Sequence, residues 1–140
     1  MIILSKFYSW IDNEQQQKVS KDGELSFDRY NSVVDIYEFL DNMKAKFKDN
    51  VTIFSIGQSF EGREIKGIKI SHQVGNPAIF IEANIHAREW ISSATAVWLV
   101  NELLTSEEND IQDLTNEIDW YIIPVTNPDG NIRYISILIV

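Results

Sequence analysis

An α/β layer fold built on a mixed sheet is what the 140-residue sequence predicts, and two observations predict it. Apolar runs of strand length alternate with segments whose apolar residues recur at three- and four-residue steps, in the order helix, hairpin, strand, helix, strand. Loop and turn stretches separate those segments at Gly57 to Arg63, Ser71 to Asn76, Thr105 to Asp110 and Asn127 to Gly130. With 44% hydrophobic residues the chain has enough apolar surface for one domain with a real core.

Each element has its own warrant. Residues 1–24 are mixed and polar, with Glu14-Gln15-Gln16-Gln17-Lys18 lacking a buried face, and read as a short helix and linker. From Ser32, the residues Val33, Ile36, Tyr37, Leu40, Met43 and Phe47 keep helical spacing, and Ser32 with Asp35 resembles a capping box. Val51 to Ile56 and Ile65 to Ile70 read as an antiparallel pair joined through Gly57 and Gly62, glycines suited to the positive φ of a hairpin connection. A loop from Ser71 to Asn76 carries His72, read as a surface residue. Ala78 to Ala83 is apolar on both faces, as an interior strand should be. After Trp90, the residues Ile91, Ala94, Val97 and Trp98 predict a helix with its tryptophans in the core, ending in an acidic loop from Thr105 to Asp110. Ile118 to Val125 is a further strand, closed by the turn signal Asn127-Pro128-Asp129-Gly130.

Composition excludes several classes of function. A net charge of −9, with 12 basic residues among 21 acidic ones, makes nucleic acid a poor partner and gives no basic patch for a membrane. No cysteine is present, so a metal would have to be held by histidine and carboxylate. Met1-Ile2-Ile3-Leu4 is too short for a signal sequence and no apolar run is long enough for a membrane span.

The stretch Ile85-His86-Ala87-Arg88-Glu89-Trp90 sits between a predicted interior strand and a predicted helix. His86 and Glu89, three residues apart, can offer an imidazole nitrogen and a carboxylate to one cation, and zinc accepts both. From the residues alone a second reading stands beside this one: a hydrogen-bonded histidine at a strand end, followed by a first-turn carboxylate favoured by the helix dipole. Asn127 to Gly130 also follows a strand, and sites in α/β sheets gather where strands end.

Three ordered strings, Gly57 to Arg63, Ile85 to Ile91 and Thr126 to Gly130, closely resemble the zinc metallocarboxypeptidases of the pancreatic carboxypeptidase A and B type. The resemblance implies a partial α/β/α layer fold with a mixed, mainly interior sheet. It implies that His86 and Glu89 are the first two ligands of one Zn2+ ion and that Arg88 lines the substrate groove. The implied reaction is hydrolytic release of C-terminal amino acids from peptides and proteins, in a secreted setting. Residues 1–24 resemble the tail of a propeptide and its activation linker, with Lys18 and Lys21 in the linker, as in a zymogen, and residues 25–140 the N-terminal portion of the catalytic domain.

The same comparison implies absences. The family's third zinc ligand, its general-base glutamate and the arginine for the substrate's terminal carboxylate have no counterpart by Val140, and Arg133 does not match the family's oxyanion segment. The expectation is therefore a truncated, inactive chain with a weak zinc site and an aggregation-prone, β-prone tail from Ile135 to Val140. The alternative is a non-catalytic remnant that binds peptides or partners.

Overall fold

The computed structural model describes residues 25–27 and 30–138. Its elements are α1 (Val33–Lys46), β1 (Val51–Gln58), β2 (Glu64–Ile70), β3 (Ala78–Glu82), α2 (Trp90–Thr105), α3 (Asn109–Glu117), β4 (Asp119–Ile123) and α4 (Pro128–Leu138). The four strands form one sheet in the order β1-β2-β4-β3, with β1–β2 and β2–β4 antiparallel and β3–β4 parallel. The predicted α/β class and mixed sheet are both present.

Helix α1 starts where its sequence says it should. Ser32 is the N-cap: its hydroxyl accepts from Asp35 N at 3.2 Å while the Asp35 carboxylate accepts from Ser32 N at 3.0 Å, which closes the predicted capping box. Val33, Ile36, Phe39 and Leu40 are its buried face. The β1–β2 register pairs Val51 with Ile70 and Ile53 with Ile68, and the connection uses Gly57 and Gly62 at φ 129° and 79°. Across β2 and β4 the pairs Ile68↔Ile122 and Ile70↔Trp120 lie on one face and join the α1 residues, Val97 and Val100 in a single buried cluster. The opposite face carries Phe54, Tyr121 and Phe80, with the Phe54 and Tyr121 rings edge-on at 5.9 Å.

Several expectations are corrected. Strand β3 has a single neighbour among the described residues, and Ile79 and Phe80 are exposed, so it is an edge there and not an interior strand. Helix α3 occupies a stretch whose start reads as part of a loop; Ile111, Leu114 and Ile118 keep helical steps across it, but the sequence reading passes from that loop straight to the next strand. Asn127-Pro128-Asp129-Gly130 opens α4 instead of closing a turn: the Asn127 side chain accepts from Gly130 N at 2.9 Å, and Pro128 is the first helical residue, where its missing N–H is harmless. Residues 135–138 of the tail read as β-prone continue that helix. Trp98 is half exposed, whereas Trp120 is buried and donates to Leu114 O at 3.4 Å. The reading of residues 1–24 lies outside the described residues.

Asp119 ties β4 to β2. Burial alone would raise its carboxyl, but the hydrogen bond from Ser71 Oγ at 2.8 Å and the Lys69 ammonium at 3.1 Å outweigh that and hold it below the usual carboxylate range. A carboxylate depressed in the folded state contributes stability above its unfolded value of about 3.9 and loses it on acidification, so unfolding free energy should fall as pH drops below about 4 and hold between about pH 5 and 7. The substitution Asp119→Asn should flatten that acid limb when urea unfolding is followed across the same range. In the core, Leu40 is fully buried, and Leu40→Ala should cost about 2–5 kcal/mol in urea unfolding.

Candidate metal centre and its support

Strands β3 and β4 run parallel, so the chain leaves both at the same end of the sheet. The ladder continues past β3: Ala83 N donates to Ile123 O and Thr126 N to Ala83 O, both at 2.9 Å. The segment after β3, from Asn84 to Glu89, is thereby laid beside the segment after β4, from Thr126 to Gly130.

His86 and Glu89 meet there. His86 Nδ1 lies 3.1 and 3.2 Å from the two carboxylate oxygens of Glu89, and the two side chains are 75% and 57% exposed, open to a ligand from solvent. With the ring proton on Nε2, the Nδ1 lone pair and two carboxylate oxygens face one point; with the proton on Nδ1 the ring donates to the carboxylate instead. Two ligands of a tetrahedral zinc at about 2.0–2.2 Å stand roughly 3.3–3.6 Å apart, so the 3.1 and 3.2 Å separations of this hydrogen-bonded pair would have to open by a few tenths of an ångström around a shared ion. Among the described residues no third His, Cys, Asp or Glu completes a group. Arg88 lies on the same loop.

His72 is at the other end of the sheet. It follows the end of β2, where Ser71 bonds Asp119 at the start of β4, while His86 lies beyond the finish of β3 at the far end of β4. Four steps of about 3.3 Å along β4, from Asp119 to Ile123, put roughly 13 Å between the two ends of the sheet, too far for the two histidines to share an ion. Arg133 is committed elsewhere, paired with Glu61.

The loop is held from several sides. Asn127 Nδ2 donates to Ile85 O at 3.1 Å, and Ser92 Oγ donates to Glu89 O at 2.6 Å. In the first turn of α4, Asp129 docks the β1–β2 connection: it accepts from Ser59 Oγ at 2.7 Å and Glu61 N at 2.9 Å and pairs with Arg63, which also pairs with Glu61. Hydrogen bonding from Arg63, then Arg133, pulls the Glu61 carboxyl down; in Asp129, burial pushes up but Glu61 N–H, Ser59 and Arg63 prevail, so it too is lowered. The strings Gly57–Arg63 and Asn127–Gly130 thus meet each other, and Asn127 bonds the His86 loop. The sequence reading missed Asn84, Ser92, Asp129 and Asn131; its available signal was the N-cap character of Asn127-Pro128.

The zinc carboxypeptidase family profile matches residues 36–136. The chain belongs to the zinc carboxypeptidase family. It is 48% identical over 102 residues to a zinc carboxypeptidase of Simulium vittatum, a match covering 73% of this chain and 34% of that protein. To carboxypeptidase A4 of Mus musculus it is 32% identical over 138 residues, covering 92% of this chain and 33% of the relative. Among solved structures, the carboxypeptidase A from Helicoverpa armigera aligns with a TM-score of 0.78 at 30% identity, covering 91% of this chain and 34% of that one. The chain spans between about a quarter and a third of the length of the curated carboxypeptidases it matches.

A carboxypeptidase-family chain with this packing has little slack at Gly130. A Cβ there would sit 2.8 Å from the Ala87 Cβ and 2.7 Å from the Asn127 amide, and neither neighbour can swing aside without breaking the cap or moving the His86 loop. Gly130→Ala gains up to about 1 kcal/mol of helix propensity but costs roughly 1–3 kcal/mol of overpacking. A lowered urea midpoint is the expected result, and an unchanged or raised one would show the loop to be loosely held.

Proposed function

We propose that His86 and Glu89 are two protein ligands of the zinc ion of a metallocarboxypeptidase, the enzyme class that hydrolyses the C-terminal peptide bond of peptides and proteins. The observation that carries this reading is the convergence of His86 Nδ1 and both Glu89 oxygens within 3.2 Å on an exposed loop. A bound zinc supplies Lewis-acid polarisation of a carbonyl and a water acidified toward neutral pH. The chain's own residues have three tasks. His86, protonated on Nε2, presents a neutral nitrogen; Glu89 presents a charged carboxylate; and Arg88 offers a planar guanidinium to substrate oxygens.

The 140 residues taken alone are proposed to be inactive, because catalytic zinc takes three protein ligands and the only other histidine, His72, is at the far end of the sheet. Residues 1–24 are proposed to be the tail of a propeptide and activation linker, which makes the protein a secreted zymogen; the 92% of this chain aligned with a carboxypeptidase reaches beyond residues 25–140. No helix among the described residues is long and apolar enough to cross a membrane. The two-ligand site also favours a second reading, a peptide-binding remnant without turnover.

Calorimetric zinc titration of the full chain tests the assignment. Saturable binding should weaken at least about tenfold in His86→Ala and in Glu89→Ala, while His72→Ala should leave it unchanged. Equal binding in wild type and His86→Ala would remove the metal assignment. For the zinc-loaded chain, release of C-terminal residues above background would overturn the proposed inactivity, and peptide affinity lost on Arg88→Ala would support the binding reading.

A further inference from the structure

Asn84 and Asn131 are 1% and 4% exposed, among the few buried polar residues, and nothing in the proposed reaction uses them. They come from segments 47 residues apart and bond each other, Asn131 Nδ2 donating to Asn84 Oδ1 at 3.0 Å. Asn84 Nδ2 lies 3.5 Å from His86 O and 3.4 Å from Glu89 O, a shared donor with two long bonds. Its backbone N–H donates to Ser92 Oγ at 2.9 Å, and that hydroxyl reaches Glu89 O. One buried side chain thus touches the main chain of both ligand residues and is itself held from α4.

Backbone conformation explains only part of the choice, since asparagine is among the few residues besides glycine that adopt the left-handed region readily. Asn84 is the one non-glycine residue with positive φ, 58°, among those described, and glycine would adopt that angle without burying an amide. Burying amides is unfavourable unless they are paired, and Asn131 Oδ1 has no hydrogen-bond partner among the described residues. The pairing must therefore be accounted for by what its bonds hold in place.

We propose that Asn84 and Asn131 form a positioning clamp for the metal loop, fixing the carbonyls of His86 and Glu89 so that ring nitrogen and carboxylate converge. The clamp ties that convergence to the first turn of α4. This rests on His86 and Glu89 being zinc ligands; Asn84 and Asn131 are positioning residues and reach no metal.

The test uses the full chain in five forms: wild type, Asn84→Gly, Asn131→Leu, the double variant and His86→Ala. Three quantities are read: zinc affinity by competition with a chromophoric chelator, amide hydrogen exchange of residues 86–89 without metal, and the thermal midpoint. Asn84→Gly keeps the backbone angle and removes the amide; Asn131→Leu keeps Asn84 and removes its partner. Each should weaken zinc about tenfold, the low end for partners behind metal ligands, and speed loop exchange by a similar factor. The double variant leaves neither amide of the pair facing a missing partner, so its midpoint should recover toward wild type while affinity and exchange stay at the single-variant level. Affinity recovering together with the midpoint would show a merely structural pair and overturn the clamp. Equal zinc affinity in wild type and His86→Ala would defeat the zinc reading separately. Metal-free exchange then decides: faster loop exchange in both single variants upholds the clamp, and unchanged exchange overturns it.

Discussion

The parallel pairing of β3 with β4 is the constraint on which the site depends. Two strands that leave the sheet at the same end deliver their following loops to the same place, and the ladder runs on through Ala83, Ile123 and Thr126 before the chain diverges. A crossover made of α2 and α3 is what allows the parallel arrangement. Ile122, buried at the centre of β4, faces Ile68 on one side and Ile81 on the other, so apolar packing fixes the register that sets where His86 falls. Strand β4 is buried on both faces, so a slip of one residue would put Tyr121 or Ile123 in place of Ile122 between Ile68 and Ile81.

Beyond the ladder, short polar side chains take over from strand pairing. Asn84, Ser92, Asn127 and Asn131 bond the main chain of the loop or one another, which satisfies buried backbone groups in a segment with no regular structure. An irregular loop beside a core needs such partners, and a ligand pair needs its backbone fixed before its side chains can converge. The ionic cluster of Glu61, Arg63, Asp129 and Arg133 acts one layer out: it fastens the β1–β2 connection to the start of α4. The three family strings are therefore one connected assembly, of which the middle string carries the proposed ligands.

What the sequence made legible follows what local chemistry decides. The Ser32–Asp35 box, the glycine-bearing hairpin and the apolar strand leading to His86 are local signals, and each is found. The His86–Glu89 convergence was legible because both residues lie in one short stretch. Helix α3 was a missed signal, because Ile111, Leu114 and Ile118 do keep helical steps but are few and follow directly on an acidic loop; its buried residue is Thr115, which bonds Leu103 O and Ile111 O. The start of α4 was hidden because Asn-Pro-Asp-Gly serves equally as a turn and as an N-cap followed by a first-turn proline; the Asn127 contacts decide between them. The single neighbour of β3 among the described residues, the exposure of Trp98 there and the Asn84–Asn131 bond depend on residues far apart in the chain, which periodicity does not report.

The central claim is that His86 and Glu89 hold one metal ion between them while His72 does not. Long-range 15N–1H spectra of the two imidazoles during zinc titration address it directly, because the two histidines serve as each other's control. Zinc should shift the His86 Nδ1 resonance and lock the proton on Nε2, with Glu89→Gln abolishing the change and His72 silent throughout. Equal responses of both rings, or a His86 response that survives Glu89→Gln undiminished, would contradict the account.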